Sequence, residues 1–309
     1  MINLFNINNY KVDISKFGNH LHGKVVSDFE NSFANYVGAK YACSVSSATN
    51  AIFLIFEGKE ELVKVPSMLP PVVNNALIKA GNKIDYTDNV DWVGDSYVLH
   101  HFKNYKVIDS AQKVEKDQFK KEANPDDLML FSFYPTKPVG SIDGGIIVSN
   151  DYEKIKYYKE ATLNGMSFSN NNWERKIKFP GWKMYMNSFQ AYIAMKNLKK
   201  LDEKKKLLKK VRESYNKSFK YENTSEHLYR LNVSNREKFI QILKAEKITC
   251  GIHYKANHNN DVYKFNKNYD LPKTEKFEKL TVSIPFHEKL KQKEIKKIIS
   301  VVKSTGLLV

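Results

Sequence analysis

The chain has 309 residues, 42% hydrophobic and 13% aromatic, enough to bury a large core and a second smaller one, so a disordered chain is excluded. Lys and Arg number 50 against 34 Asp and Glu, a formal net charge of +16 that favours anionic small molecules or polyanions by long-range attraction. No run of about 18 apolar residues appears, the first ten residues lack a signal-peptide pattern, and Cys43 and Cys250 lack metal-site or disulfide spacing; the expectation is a cytoplasmic protein with no metal and no membrane partner.

Up to about Asn150, short β-branched or apolar runs alternate with helical patterns, the signature of a mixed or parallel sheet covered by helices. The helix predicted at 25–37 carries Phe29, Phe33 and Tyr36 on one stripe and ends at Gly38. Strands follow at 41–45, 61–65, 83–86, 97–100, 106–108, 128–133 and 145–149, with helices at 49–56, 72–80 and 151–163. Residues 186–215 read as one long helix. Its lysine-rich part, 196–210, carries Leu198, Leu201, Leu207 and Leu208 at helical spacing, so the lysines form a solvated face and nucleic acid is not expected as a partner. Beyond it, strands at 229–233, 249–254 and 280–284 and helices at 236–246 and 291–302 make an α+β unit. The chain divides accordingly into a large α/β domain, 1–200, and a small C-terminal α+β domain, 201–309.

Three segments carry chemistry. In FSFYPTKPVGSIDGG an apolar strand ends at Ser132, and Lys137 follows between Phe133, Tyr134, Pro135, Pro138 and Val139. Such surroundings desolvate an ammonium and lower its pKa from about 10.4, as a nucleophilic lysine requires; a lone exposed lysine in a Pro-rich loop is the plainer alternative. In KVIDSAQ the carboxylate of Asp109 ends an apolar strand, where it can hold a pyridine nitrogen protonated or simply cap a helix, and Gln112 follows. In SVSSATNAIFLIF, Ser47, Thr49 and Asn50 enter an apolar helix whose free N–H groups suit a phosphate, although ordinary capping explains them equally well.

Together and in this order, these pieces resemble the DegT/StrS family of sugar aminotransferases. VVSDFENSFANYVGAKYACSVSSATNAI is similar to its opening helix and phosphate loop, VPSMLPPVVNNALIKAG to its next strand and helix, and PGWKMYMNSFQAYIAMKNLKKLDE to the helix after a dimer-interface loop. IHYKANHNNDVY and TVSIPFHEKL resemble its small domain. The resemblance implies a fold-type I α/β enzyme that uses pyridoxal 5'-phosphate to move an amino group, usually from glutamate, to a nucleotide-linked keto-sugar for glycan biosynthesis, as a homodimer with shared active sites. It makes Lys137 the lysine that joins the cofactor, Asp109 the partner of the ring nitrogen, and Gln112 a contact near the ring oxygen. Ser132, Thr49 and Asn50 would hold the phosphate, while His253, Tyr254 and His287 fall where relatives line the substrate cleft. Dehydratase relatives have histidine where this chain keeps Lys137, which favours transamination.

Four departures separate the chain from that pattern. Pro66 and Ser67 are followed by Met68, Leu69, Pro70 and Pro71, without the aromatic ring that stacks on the cofactor. The stretch from Asp88 to Asp109 is shortened, with His100 and His101 remaining from it. The family's G-x-N-x-R loop reads Gly181, Trp182, Lys183, Met184, Tyr185, so Lys183 becomes the candidate cation for a neighbouring subunit's phosphate. The Asp-Ala-Ala-Gln motif reads Asp109, Ser110, Ala111, Gln112. These leave two alternatives open: a related enzyme with another substrate or reaction, and a catalytically degraded binding or regulatory relative.

Overall fold

The computed structural model describes residues 1–17, 19–167, 176–263, 265 and 267–309. Helix α1 (Lys24–Val37) forms because Phe29, Phe33, Ala34 and Val37 recur at three- and four-residue spacing and bury one face. It stops where the chain offers a residue free to turn left-handed: Gly38 has φ +81° and its N–H reaches the carbonyls of Ala34 and Asn35. Burial of Phe33 alone contributes about 2 kcal/mol. The elements that follow are β1 (Tyr41–Val45), α2 (Ala48–Phe56), β2 (Leu62–Pro66), α3 (Pro71–Lys79), β3 (Lys83–Thr87), β4 (Tyr97–His101) and β5 (Lys106–Asp109). Next come α4 (Gln118–Glu122), β6 (Leu128–Ser132), β7 (Gly145–Ser149) and α5 (Tyr152–Thr162).

Five strands make one mixed sheet in the order β1-β7-β6-β5-β4, parallel between β5 and β6 and antiparallel at the other pairings. Strands β2 and β3 form a separate parallel pair. Every residue of β6 and β7 is buried, so these strands read as continuous apolar runs, and period-two alternation sends their side chains to two cores. Met129 and Phe131 join Phe29, Phe33 and Phe133 under α1, while Leu128 and Leu130 join Ile55, Phe56 and Leu77 under α2 and α3. Glu30 of α1 locks this layer: its buried carboxylate accepts from the Ser44 N–H at 2.7 Å, the Ser44 hydroxyl at 2.8 Å and the Lys159 ammonium at 2.7 Å.

The C-terminal part contains α6 (Ser188–Leu198), α7 (Leu201–Phe219), β8 (Tyr229–Asn232), α8 (Arg236–Ala245), α9 (Pro272–Leu280), β9 (Thr281–Ile284) and α10 (Gln292–Ser304). Strands β8 and β9 pair antiparallel, and Leu208, Val211 and Tyr215 of α7 pack with Tyr229, Phe239 and Ile298 in a third core.

Two expectations require correction. The single helix at 186–215 is two, because the chain turns at Lys199 and Lys200. That turn lets Leu198 and Leu201 stay in the core under α1 while Leu208 and Val211 enter the third core, which one straight rod does not allow. Residues 249–254 form no strand; Gly251 makes an isolated bridge to Ser283 and the chain then leaves the sheet edge. Helix α9, unforeseen in the sequence reading, occupies the approach to β9.

Candidate active site

The ends of β5 and β6 and the start of α2 converge on one cavity of about 610 Å³. Its lining includes Ser47, Thr49, Asp109, Gln112, Ser132, Lys137, His253 and Tyr254, so the structure brings together eight of the residues singled out in the sequence. Tight packing makes this possible. Gly145 pairs with Ser132 across the sheet, and a Cβ on Gly145 would stand 2.6 Å from the backbone nitrogen of Ala48, so only glycine lets β7 approach the helix start this closely.

Asp109 is buried at the carboxyl end of β5. Its Oδ1 accepts the Ala111 N–H at 2.9 Å and its Oδ2 accepts the Tyr97 hydroxyl at 3.1 Å. Burial pushes its pKa up, with the Ala111 N–H, the Lys137 ammonium and the Tyr97 hydroxyl pulling the other way. Lys137 sits in the loop after β6, half-buried, its backbone N–H donating to Tyr134 and its carbonyl accepting from Gly140. Desolvation brings its ammonium down to about 8, against the support of the Asp109 carboxylate. Behind this loop the ammonium of Lys204 on α7 donates to the Pro138 carbonyl at 2.9 Å.

At the other end of the cavity Ser47 caps α2 by accepting the Asn50 N–H at 3.2 Å, and Thr49 lines the wall beside it. Gln112 donates to the Tyr254 hydroxyl at 2.9 Å and accepts the Gly94 N–H at 2.8 Å, which fixes its amide. His253 bonds through Nδ1 to the Ser283 hydroxyl at 2.9 Å, and burial lowers its pKa to about 4. An anion at the α2 start, a ring above Asp109 and a carbonyl carbon at Lys137 can be held together here.

Three singled-out residues lie elsewhere. The Asn50 amide turns to the Ser46 hydroxyl at 2.8 Å, outside the cavity lining. His287 donates from Nε2 to the Asn3 carbonyl at 3.2 Å and lines a second cavity formed with Met1, Ile2, Asn3, Phe5, Asn6 and Ile7 of the N-terminal segment. Lys183 is exposed and bridges in backbone to Leu163, away from its own chain's cavity. Sequence reasoning missed Phe5, Trp92, Tyr97 and His227. Phe5, Trp92 and His227 line the cavity, and Phe5 stacks on His227 with ring centroids 5.7 Å apart. An isolated aromatic in a polar stretch gives no periodic signal, so nothing in the sequence marked them.

The mixed sheet, with a buried carboxylate at the end of β5 and a desolvated lysine on the loop after β6 lining one cleft, has the fold-type I aminotransferase scaffold. The chain matches the DegT/DnrJ/EryC1/StrS aminotransferase family over residues 6–80 and 106–303, and it belongs to that family. It is 26% identical over 330 aligned positions to the UDP-4-amino-4,6-dideoxy-N-acetyl-beta-L-altrosamine transaminase of Campylobacter jejuni, covering 89% of this chain and 88% of that relative. Among solved structures, the aminotransferase TlmJ of Streptoalloteichus hindustanus superposes with a TM-score of 0.83 at 20% identity, over 98% of each chain. Spr1654 of Streptococcus pneumoniae in its PLP form superposes with a TM-score of 0.78 at 18% identity, over 97% of each chain.

Proposed function

We propose that this protein is a pyridoxal-phosphate-dependent aminotransferase that takes an amino group from glutamate and delivers it to a nucleotide-linked keto-sugar. In this reading it works in the cytoplasm, as a homodimer of two-domain subunits that share active sites. The observation that carries it is the shared cavity of Asp109, Lys137 and the α2 start. The donor set fits the cofactor: a buried carboxylate for a ring nitrogen, a lysine of lowered pKa for an aldehyde, and Ser47, Thr49 and Ser132 beside free helix N–H groups for a phosphate. A relative named for a UDP-linked amino sugar supports the acceptor class. Among the described residues no helix is long and apolar enough to cross a membrane.

When bound, the cofactor supplies a pyridinium ring that accepts the electron pair left as a proton departs from the amino-bearing carbon. Asp109 would be the partner that keeps the ring nitrogen protonated, and its bonds from Ala111 and Tyr97 hold the carboxylate in place. Lys137, with its pKa lowered to about 8, would be the amine that holds the cofactor aldehyde and the group able to take and return a proton at the substrate carbon. Gln112, fixed by Gly94 and Tyr254, would be the side chain near the ring oxygen. His253 and Tyr254 contribute polar groups to the cavity, and the exposed Lys183 would be the cation offered to the phosphate of a neighbouring subunit.

The test is a titration of purified, cofactor-loaded protein with glutamate, followed by a panel of nucleotide-linked keto-sugars. The visible band should fade with glutamate and return with one of the sugars. A band that no amino acid changes would sink the reading. A second reading, an acceptor other than a sugar, draws support from residues 81–105, which lie outside the family match; a panel of simple keto acids run beside the sugars separates the two. A purely binding relative would show the same spectrum in the parent and in Lys137→Ala.

A further inference from the structure

Residues 81–105, which the family match skips, form β3, a turn and β4, and this stretch touches the site twice. Strand β4 returns antiparallel to β5 through a tight hairpin, closed by the Phe102 N–H donating to the Tyr105 carbonyl at 2.8 Å. That register sets Tyr97 directly across from Asp109, and the Tyr97 hydroxyl lies 3.1 Å from Asp109 Oδ2. Trp92, in the turn before β4, is buried, lines the cavity, packs on Tyr97 with centroids 4.8 Å apart and stacks on Tyr254 at 6.1 Å and 4°. Pro70, following the Pro66-Ser67 pair, lines the same cavity and offers no aromatic ring.

We infer that Tyr97 is a positioning residue for Asp109, held against it by Trp92, so that β4 and the turn before it supply both the orientation of the ring-nitrogen carboxylate and an aromatic wall for the cofactor site. The inference rests on the cofactor reading above. Its chemistry is simple. A carboxylate that partners a ring nitrogen must present a lone pair in one direction, and two donors on separate oxygens, Ala111 N–H and Tyr97 O–H, leave it no free rotation about its last bond. The phenol can only donate here. Burial and the neighbouring carboxylate push the Tyr97 pKa far up, so it keeps its proton throughout the working pH range.

The experiment is a cycle of Tyr97→Phe, Asp109→Asn and the double variant, read by the dissociation constant for pyridoxal phosphate, the absorption maximum of the bound cofactor, and kcat and KM for the amino donor. Tyr97→Phe should lower kcat several-fold while leaving KM and the cofactor dissociation constant near the parent values, and move the absorption maximum in the direction Asp109→Asn moves it. In the Asp109→Asn background the same change should do almost nothing, because the carboxylate it positions is gone. Trp92→Phe, which keeps the hydroxyl and loosens its support, should give a smaller loss that also disappears in that background. Equal effects of Tyr97→Phe in both backgrounds, or an unmoved absorption maximum, would overturn the inference while leaving the cofactor reading intact. A parent protein that binds no pyridoxal phosphate overturns both.

Discussion

Lys137 should behave as a nucleophile with a half-point near pH 8. A lysine of ordinary pKa, about 10.4, is neutral to roughly one part in 2,500 at pH 7, whereas a value of about 8 leaves roughly a tenth of it neutral. The gain in reactive amine at neutral pH is therefore about two hundredfold. The sign follows from the two causes: burial removes water from the ammonium and lowers the pKa, and Asp109 restores part of the loss. Replacing Asp109 by Asn should thus move the half-point below 8, because the charge that supports the ammonium is gone while the desolvation remains. The neighbouring side chains do not blur the reading, because His253 is lowered to about 4, His227 lies well below its ordinary range, and the Tyr97 and Tyr254 phenols are raised. The assay traps the adduct of cofactor-free protein with an aldehyde by borohydride across pH 6 to 11 and counts label on the peptide containing residue 137, with Lys137→Arg as blank. A half-point at or above 10 would refute the desolvation argument and with it the nucleophile assignment.

Three further outcomes follow from the site. Asp109→Asn should keep its cofactor yet lose most turnover, on the order of a hundredfold, since an amide cannot hold the ring proton; single-turnover kinetics with glutamate measures this, and near-normal turnover removes Asp109 from the role. Ser132→Ala combined with Thr49→Ala should raise the cofactor dissociation constant about tenfold while turnover recovers at saturating cofactor, because lost phosphate contacts mainly weaken anchoring; equilibrium dialysis decides, and an unchanged constant places the phosphate elsewhere. Lys183→Ala should weaken cofactor binding about tenfold at low salt, less as salt rises, with the dimer intact by sedimentation; equal constants for parent and variant at low salt mean the side chain is simply solvated.

Much of the scaffold was legible in the sequence because the signals are local. The β6 and β7 runs, LMLFS and GIIVS, are short, apolar and bounded by polar turns, and the α1 stripe ends at a glycine free to turn left-handed. The α6–α7 break was not, because Lys199 and Lys200 are good helix formers, with neither glycine nor proline to mark a stop; what breaks the rod is that its two halves serve different cores. The site divided the same way. Asp109 and Ser132 stand at strand ends, and Lys137 on the loop that follows, all readable from the residues alone, whereas Phe5, Trp92 and His227 reach the cleft only through tertiary packing. His227 shows the limit well: it precedes β8 in a stretch with no pattern, yet it ends up stacked on a residue more than two hundred positions away.

The turn between α6 and α7 has a mechanical corollary. Helix α7 runs as one stiff rod of 19 residues, with Leu201 seated in the core under α1 and Val211 and Tyr215 seated in the third core. Lys204, one turn from its start, grips the carbonyl of Pro138 next to the reactive lysine. Through that contact the Lys137 loop is tied to the helix that is seated in both cores.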